Sequence, residues 1–189
     1  MKHLTIKEKE IEAFSKMKGD FKYTNVMAAP RMSKIVINVG TGTAVKKDKN
    51  KNTSIGDRLA KITGQKVAFR GAKQSVASFK IRQGDPIGVV VTLRGKRMYS
   101  FLEKLINVAL PRTKDFRGIN RTSVDDIGNI TFGIKEHTIF PETADEDLKD
   151  VFGMSITIVT TSSDKKNTLA FLEYIGLPLK KEEDKKGKK

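Results

Sequence analysis

Apolar and polar residues alternate with a two-residue period in several stretches of this chain. In Lys34–Val39, Ile35, Ile37 and Val39 fall on one side and Lys34, Val36 and Asn38 on the other, the period of a half-buried strand. Pro86–Arg94 repeats the pattern, with Ile87, Val89, Val91 and Leu93 against Gly88, Val90, Thr92 and Arg94. Asn129–Lys135 turns Ile130, Phe132 and Ile134 inward, and Met154–Thr161 sets Met154, Ile156 and Ile158 opposite Ser155, Thr157 and Val159. Shorter strands are expected at Lys66–Arg70 and near Val76–Ile81.

Helical spacing fills much of the remainder. Residues 3–18 predict a charged helix with a thin apolar stripe at Leu4, Ile11 and Phe14. Residues 53–63 predict a second, with Ile55, Leu59 and Ile62 on one face and Gly64 as its stop. Lys96–Leu110 is strongly amphipathic, with Met98, Phe101, Leu102, Leu105 and Ala109 on one face and Pro111 as its expected end. A last helix starts at Ser163 or Asp164, uses Leu169, Leu172 and Ile175, and stops at Gly176 and Pro178. Residues 21–31 read as a loop, 46–52 as a solvated basic connection, and 141–150 as an acidic turn. Residues 111–128 read as an exposed loop carrying Arg112, Lys114, Arg117 and Arg121.

Strands that alternate in this way suit an antiparallel sheet with one face on the core and one open. The predicted fold is α+β: a mainly antiparallel sheet with helices packed on one face, two layers in all. Residues 1–179 form a single domain with an N-terminal helix, and 180–189 a disordered charged tail. The open face presents Lys34, Asn38, Thr92, Arg94, Thr131 and Lys135, groups that hydrogen-bond phosphates, sugars and base edges.

Charge gives that face a meaning. The 189 residues carry 37 Lys and Arg against 22 Asp and Glu, a net charge of +15. Self-repulsion of this size destabilises a compact state, and the usual compensation is a polyanion whose counterions are released. A merely solubilising surface is the competing account. There is no Cys and only His3 and His137, so a disulfide frame, a cysteine zinc site and a Ser-His triad lack their residues. No apolar run approaches the roughly 18 residues of a membrane span, and no signal-peptide pattern opens the chain. No membrane association is expected, and a cytoplasmic setting is.

Other candidate chemistry is thin. Val39-Gly40-Thr41-Gly42 follows a strand, but Val45 stands where a dinucleotide turn needs its third glycine. The acids Glu142, Asp145, Glu146, Asp147 and Asp150 lack calcium-loop spacing and read as a solvated turn. Asp125 and Asp126 are adjacent and do not point together. His137 reads as a surface residue. No cofactor is implied. The segment Arg70–Arg82 is different: Arg70, Lys73, Lys80 and Arg82 supply cations, small residues allow close approach, and Phe79 offers one aromatic face. It favours an RNA contact over a plain hairpin tip. A DNA-binding protein would want a recognition helix rich in Arg, Asn or Gln, whereas Lys96–Leu110 presents an apolar face. A generic basic RNA-binding protein or an RNA-modifying enzyme is the rival reading.

Several long motifs then carry a resemblance. FKYTNVMAAPRMSKIVINVGTG, ITGQKVAFRGAKQSVASFKIRQGDPIGVVVTLRGKRMYSFLEKL, LPRTKDFRGIN, GNITFGIKEHTIFPE and GMSITIVTT resemble, in order from about residue 20 to 179, the bacterial form of the universal family of large-subunit ribosomal protein five. The resemblance implies a non-enzymatic constituent of the large ribosomal subunit. Such proteins bind 5S rRNA through the sheet and help place it in the central protuberance, beside large-subunit rRNA and other proteins of that region. By position, the 5S rRNA contacts are Asn38, Gln65, Thr92 and Arg94. The loop matching Arg70–Gly84 approaches the peptidyl-site tRNA through Lys73, Gln74, Ser75, Lys80 and Arg82. The segment Pro111–Pro141 lies near a protein of the small-subunit head. The chain departs from the family pattern at Val67, at Asp85, in VDDIGN (residues 124–129), at Leu179 and in its lysine-rich tail. A negative charge at Asp85 opposes a tRNA contact at that spot.

Overall fold

Strand β1, Met32–Gly40, is the centre of the molecule. The structure, a computed structural model, describes residues 4–21, 23–42, 50–143 and 151–180. Four helices are present among them: α1 Ile6–Phe21, α2 Lys51–Thr63, α3 Gly95–Lys104 and α4 Lys165–Ile175. The strands besides β1 are β2 Ala68–Gly71, β3 Pro86–Leu93, β4 Ile130–Ile134 and β5 Met154–Thr160. They form one five-stranded sheet in the order β2-β3-β1-β5-β4, with every neighbouring pair antiparallel. Most of the basic connection at 46–52, the acids Asp145, Glu146, Asp147 and Asp150, and the tail beyond Lys180 lie outside the described residues.

Alternation decides which side of the sheet is covered. Ile35, Ile37, Val39, Val89, Val91, Leu93, Ile130, Ile156 and Ile158 are all buried, and they line one face. The helices supply the opposing layer through Leu59, Ile62, Met98, Leu102, Phe171 and Leu172, and both sets belong to one core cluster. The other face has no helical cover, so Asn38, Thr92 and Thr131 are exposed. The fold is α+β, with helices on one face and the other open.

Several local expectations change. Helix α1 buries Ile6, Ala13 and Met17, whereas Ile11 is 69% exposed. The helix packs on α4 and α3, and its buried residues include the small Ala13. A count of large apolar residues therefore picks the wrong stripe. The helix after β3 does not end at Pro111 but runs on to Arg112. It widens into a π turn over Leu105–Ala109, where the Leu110 N–H bonds the Leu105 carbonyl. In that shifted register Pro111 falls in the first turn of the closing segment, where its missing N–H is tolerated. The Val76–Ile81 stretch is a single antiparallel bridge around a 3-10 turn at Ala77–Phe79, not a strand.

His137 is fully buried rather than at the surface. Its ring stacks on Phe152 at 4.1 Å, and Nδ1 accepts the Phe152 N–H at 3.3 Å. Glu142 is not part of an open acidic turn, since it pairs with Lys104, whose ammonium also donates to the Ile62 carbonyl at 2.7 Å. Segment 111–128 is only partly exposed, with Ile119 and Val124 buried. Residues 178–180 hold it: Ile119 N–H donates to Pro178 O at 2.8 Å and Lys180 N–H to Ile119 O at 2.9 Å. Arg121 adds a hydrogen bond to Lys180 O at 2.9 Å and an ion pair to Glu173. These contacts join segments about sixty residues apart, which local patterning cannot see.

One half-buried carboxyl makes stability depend on pH. Burial pushes the Glu10 carboxyl above the usual range, against opposing help from Tyr99, the Met32 backbone and Arg31. Tyr99 beside it is pushed up to about 12 by burial and by Glu10. A carboxyl raised on folding supports the fold when protonated and loses that support as pH rises through its folded value. Glu10→Gln is therefore expected to raise the urea midpoint at pH 7 relative to the parent. The difference shrinks toward pH 3, where both side chains are neutral. Parallel urea titrations at the two pH values check this.

Candidate nucleic-acid interface

The open face is laid out by strand register. On β3, Thr92 lies opposite Val36 of β1. Val36 lies opposite Thr157 of β5, and Thr157 opposite Thr131 of β4. One rung of four strands thus carries three hydroxyls, of which Thr131 and Thr157 hydrogen-bond each other at 3.0 Å. The rung two residues on carries Val90, Asn38, Ser155 and Gly133. Asn38 is therefore a diagonal cross-strand neighbour of Thr92 on the same face. Its side chain is exposed, while its main-chain carbonyl accepts the Ser155 hydroxyl at 3.3 Å. Arg94 is the last extended residue before α3 and is exposed.

Gln65 reaches the Thr92 main chain from another element. Helix α2 ends at Gly64, whose φ of 66° turns the chain out of the helix. Gln65 follows and donates from Nε2 to the Thr92 carbonyl at 3.0 Å. Its Oε1 accepts from Arg97 Nη1 at 3.3 Å. The structure thus brings Gln65 to Thr92, with Asn38 and Arg94 on the surface they share. Sequence reading missed Arg97 in this cluster, and left Ser155 and Thr157, which it put on the polar side of their strand, out of the open-face set. The β5 alternation held the signal for the last two. Nothing local marks Arg97, because its contact spans 32 residues.

The second basic group is separate. Residues 72–85 form a projecting hairpin on the sheet edge between β2 and β3. Ala72 and Asp85 are joined by an Ala72 N–H to Asp85 O bond of 2.8 Å, and Gly84 N–H returns to Ala72 O at 3.0 Å. The Val76–Ile81 bridge closes the tip, with Lys80 in the left-handed region at a φ of 49°. Lys73, Gln74, Ser75, Lys80 and Arg82 are all exposed, as is Phe79 at 62%. Ser75 is partly committed, since its hydroxyl accepts the Gln83 N–H at 2.9 Å. Asp85, the residue that departs from the family pattern, accepts the Arg82 N–H at 2.8 Å. Its carboxylate braces the hairpin neck.

Comparison with known proteins gives this geometry its context. The family described as "Ribosomal protein L5" matches residues 25–82, and the model for the C-terminus of the same ribosomal protein family matches 86–179. The chain is 44% identical over 169 residues to the large ribosomal subunit protein uL5 of Trichlorobacter lovleyi, covering 89% of this chain and 94% of that one. It is 47% identical over 170 residues to the uL5 of Helicobacter hepaticus, covering 90% and 93%. It is 48% identical over 162 residues to that of Mycoplasma mycoides, covering 86% and 89%. With the fold, these matches define an RNA-binding structural protein of the cytoplasmic ribosome, acting in translation and not as an enzyme. The chain belongs to the ribosomal L5 family of the large subunit.

Proposed function

We propose that the open sheet face binds 5S rRNA and helps place it in the central protuberance, against large-subunit rRNA and the neighbouring proteins. The observation that carries this reading is the convergence of Gln65 on Thr92, with Asn38 and Arg94 on the same uncovered surface. The family resemblance names the RNA. The face supplies what its recognition needs: side chains that donate and accept beside a cation, on rigid strands. In this reading Gln65 acts through the Thr92 strand as much as through RNA, because its amide is already engaged on both sides.

The same reading assigns the 72–85 hairpin to peptidyl-site tRNA and the 111–141 segment to a protein of the small-subunit head. Exposed Lys73, Lys80 and Arg82 on a braced neck support the tRNA contact. Asp85 does not oppose it at the tip, since its carboxylate is turned onto the Arg82 backbone.

The test is binding of the full chain to 5S rRNA, tRNA and duplex DNA of equal length. Selective binding to 5S rRNA is expected, with affinity falling by roughly 0.7–0.9 log units per log of salt for each phosphate neutralised. Equal affinity for all three reduces the reading to generic electrostatics. Replacing Lys73, Lys80 and Arg82 together by Ala is expected to leave 5S rRNA affinity within about threefold. The same change is expected to weaken peptidyl-site tRNA retention on large subunits about tenfold, since tenfold is only about 1.4 kcal/mol. Filter binding reads both.

A further inference from the structure

Strand β4 forms one edge of the sheet, and most of that edge is open. Val124 bridges Ile130 at its beginning, and Asp125 N–H donates to Asn129 O there at 2.8 Å. That bond marks the direction in which odd-numbered residues turn their main chain. By the two-residue period of a strand, Thr131 and Gly133 turn theirs the same way: the Val124–Ile130 bridge takes up the Thr131 N–H, and the Thr131 carbonyl and both main-chain groups of Gly133 lie beyond it. Among the described residues no other segment pairs with them.

A cleft of about 830 Å³ runs along this edge. Residues of both sheet faces line it, Thr131, Gly133 and Lys135 from one and Phe132 and Ile134 from the other. The opposite wall is segment 110–120, fixed by residues 178–180. Arg112, Lys114, Arg117, Lys135 and Lys180 outnumber Asp115 and Glu136 around it. Gly133 brings no side chain, and a Cβ built there would meet nothing within 4 Å.

We propose that this cleft takes an extended acidic segment of a partner protein as an added strand on β4. The proposal rests on the reading of residues 111–141 as a protein-contact segment, and adds the docking mode and the partner's chemistry. An added strand satisfies both kinds of main-chain group on the edge, N–H and C=O. An RNA backbone offers phosphate acceptors and 2′-hydroxyl donors, but not the alternating N–H and C=O spacing that pairs with a strand edge. Half-buried Phe116 and the edges of Ile119, Phe132, Ile134 and Ile139, each under a tenth exposed, supply a narrow apolar strip in the cleft, which suits alternate apolar side chains. The excess of cations selects carboxylates for the other set. Open edges of this kind are otherwise covered or blunted in soluble proteins.

The test uses the full chain and three labelled probes. These are a ten-residue peptide alternating Glu and Val, its Lys-Val counterpart, and a single-stranded RNA of ten nucleotides. Fluorescence anisotropy reads affinity and hydrogen exchange reads the Gly133 and Lys135 amides. The Glu-Val peptide is expected to bind at least tenfold more tightly than Lys-Val and to slow both amides at least fivefold. Gly133→Pro removes one outward N–H and is expected to weaken the peptide about tenfold. Lys114→Glu with Arg117→Glu, which leaves the strand intact, is expected to do the same. Peptide binding without protection of β4 overturns the proposal. Protection of these amides by the RNA instead assigns the cleft to nucleic acid and also overturns it. Self-association that protects the amides with no peptide present overturns the acidic occupant in favour of a second copy. Subunit association in gradients keeps the parent reading separate. If Lys114→Glu with Arg117→Glu weakens association but no peptide binds, strand addition is overturned and the head contact stands. If the peptide binds as expected while association is indifferent, strand addition is supported and the head contact falls.

Discussion

Combining Asn38→Asp with Thr92→Glu is expected to lower 5S rRNA affinity about 100-fold while leaving the fold intact. Both side chains are exposed on the uncovered face. The hydrogen bonds at these positions that tie the face together use main-chain carbonyls, Asn38 to the Ser155 hydroxyl and Thr92 to the Gln65 amide. Replacing the side chains therefore leaves the strand pairing and those bonds in place, and surface changes of this kind stay within about 0.5 kcal/mol each. Binding responds differently. Each new carboxylate meets phosphate oxygens and replaces a group able to donate or accept, and about 1.4 kcal/mol per site gives a tenfold loss each. The neutral pair Asn38→Ala and Thr92→Val is expected to lose less, because it removes hydrogen bonds without adding repulsion. Filter binding at two salt concentrations, beside thermal melts, checks both. Affinity within threefold of the parent for the charged pair removes the open face as the 5S rRNA site.

The second large effect concerns the turn that aims β4. Gly128→Ala is expected to destabilise the protein by about 3 kcal/mol, combining left-handed strain with overpacking. Gly128 has a φ of 81°, and a Cβ there would lie 2.6 Å from both the Ser162 carbonyl and the Thr168 hydroxyl. One of those atoms is backbone and cannot rotate aside. Gly128 O also accepts the Thr160 hydroxyl at 2.7 Å, so any shift of the turn breaks a buried bond. The melting temperature should fall by roughly 6–12 °C for a chain of this size. Gly19→Ala is the control, since that position is helical and a Cβ meets nothing within 4 Å. It is expected to gain about 0.5–1 kcal/mol from lower unfolded-state freedom. Equal behaviour of the two variants in thermal melts removes the steric argument.

This turn shows how far local reading reaches. VDDIGN departs from the family's usual residues, yet the turn still closes. The Asp125 carboxylate accepts the Asn129 N–H and side-chain amide at 2.5 and 3.1 Å, and Gly128 supplies the positive φ. Short-range chemistry of that kind is written in adjacent residues. So are β1, β3, β4 and β5, because a strand's two-residue period sorts core from solvent without knowledge of its neighbours. Asn38, Thr92 and Arg94 could be placed on the open face for that reason alone.

Other features were not legible because their causes lie far along the chain. Helix α1 packs on α3 and α4, and its buried stripe is Ile6, Ala13 and Met17. His137 is buried because Phe152, fifteen residues on, stacks against it. Segment 111–128 is held by residues 178–180, and the β4 cleft exists only because that segment stands across from an edge strand.

By itself, then, the sequence determined the strand periods, the covered and uncovered sides of the sheet, the charge of +15 and the family motifs. These depend on residue spacing and composition, which act over a few residues or over the whole chain at once. The tertiary structure alone decided that Gln65 meets Thr92 and Arg97, that Asp85 braces the hairpin neck and that the open edge of β4 faces a basic cleft. Each of these is a meeting of groups brought together by chain reversal, and spacing along the chain carries no record of which distant groups packing will join.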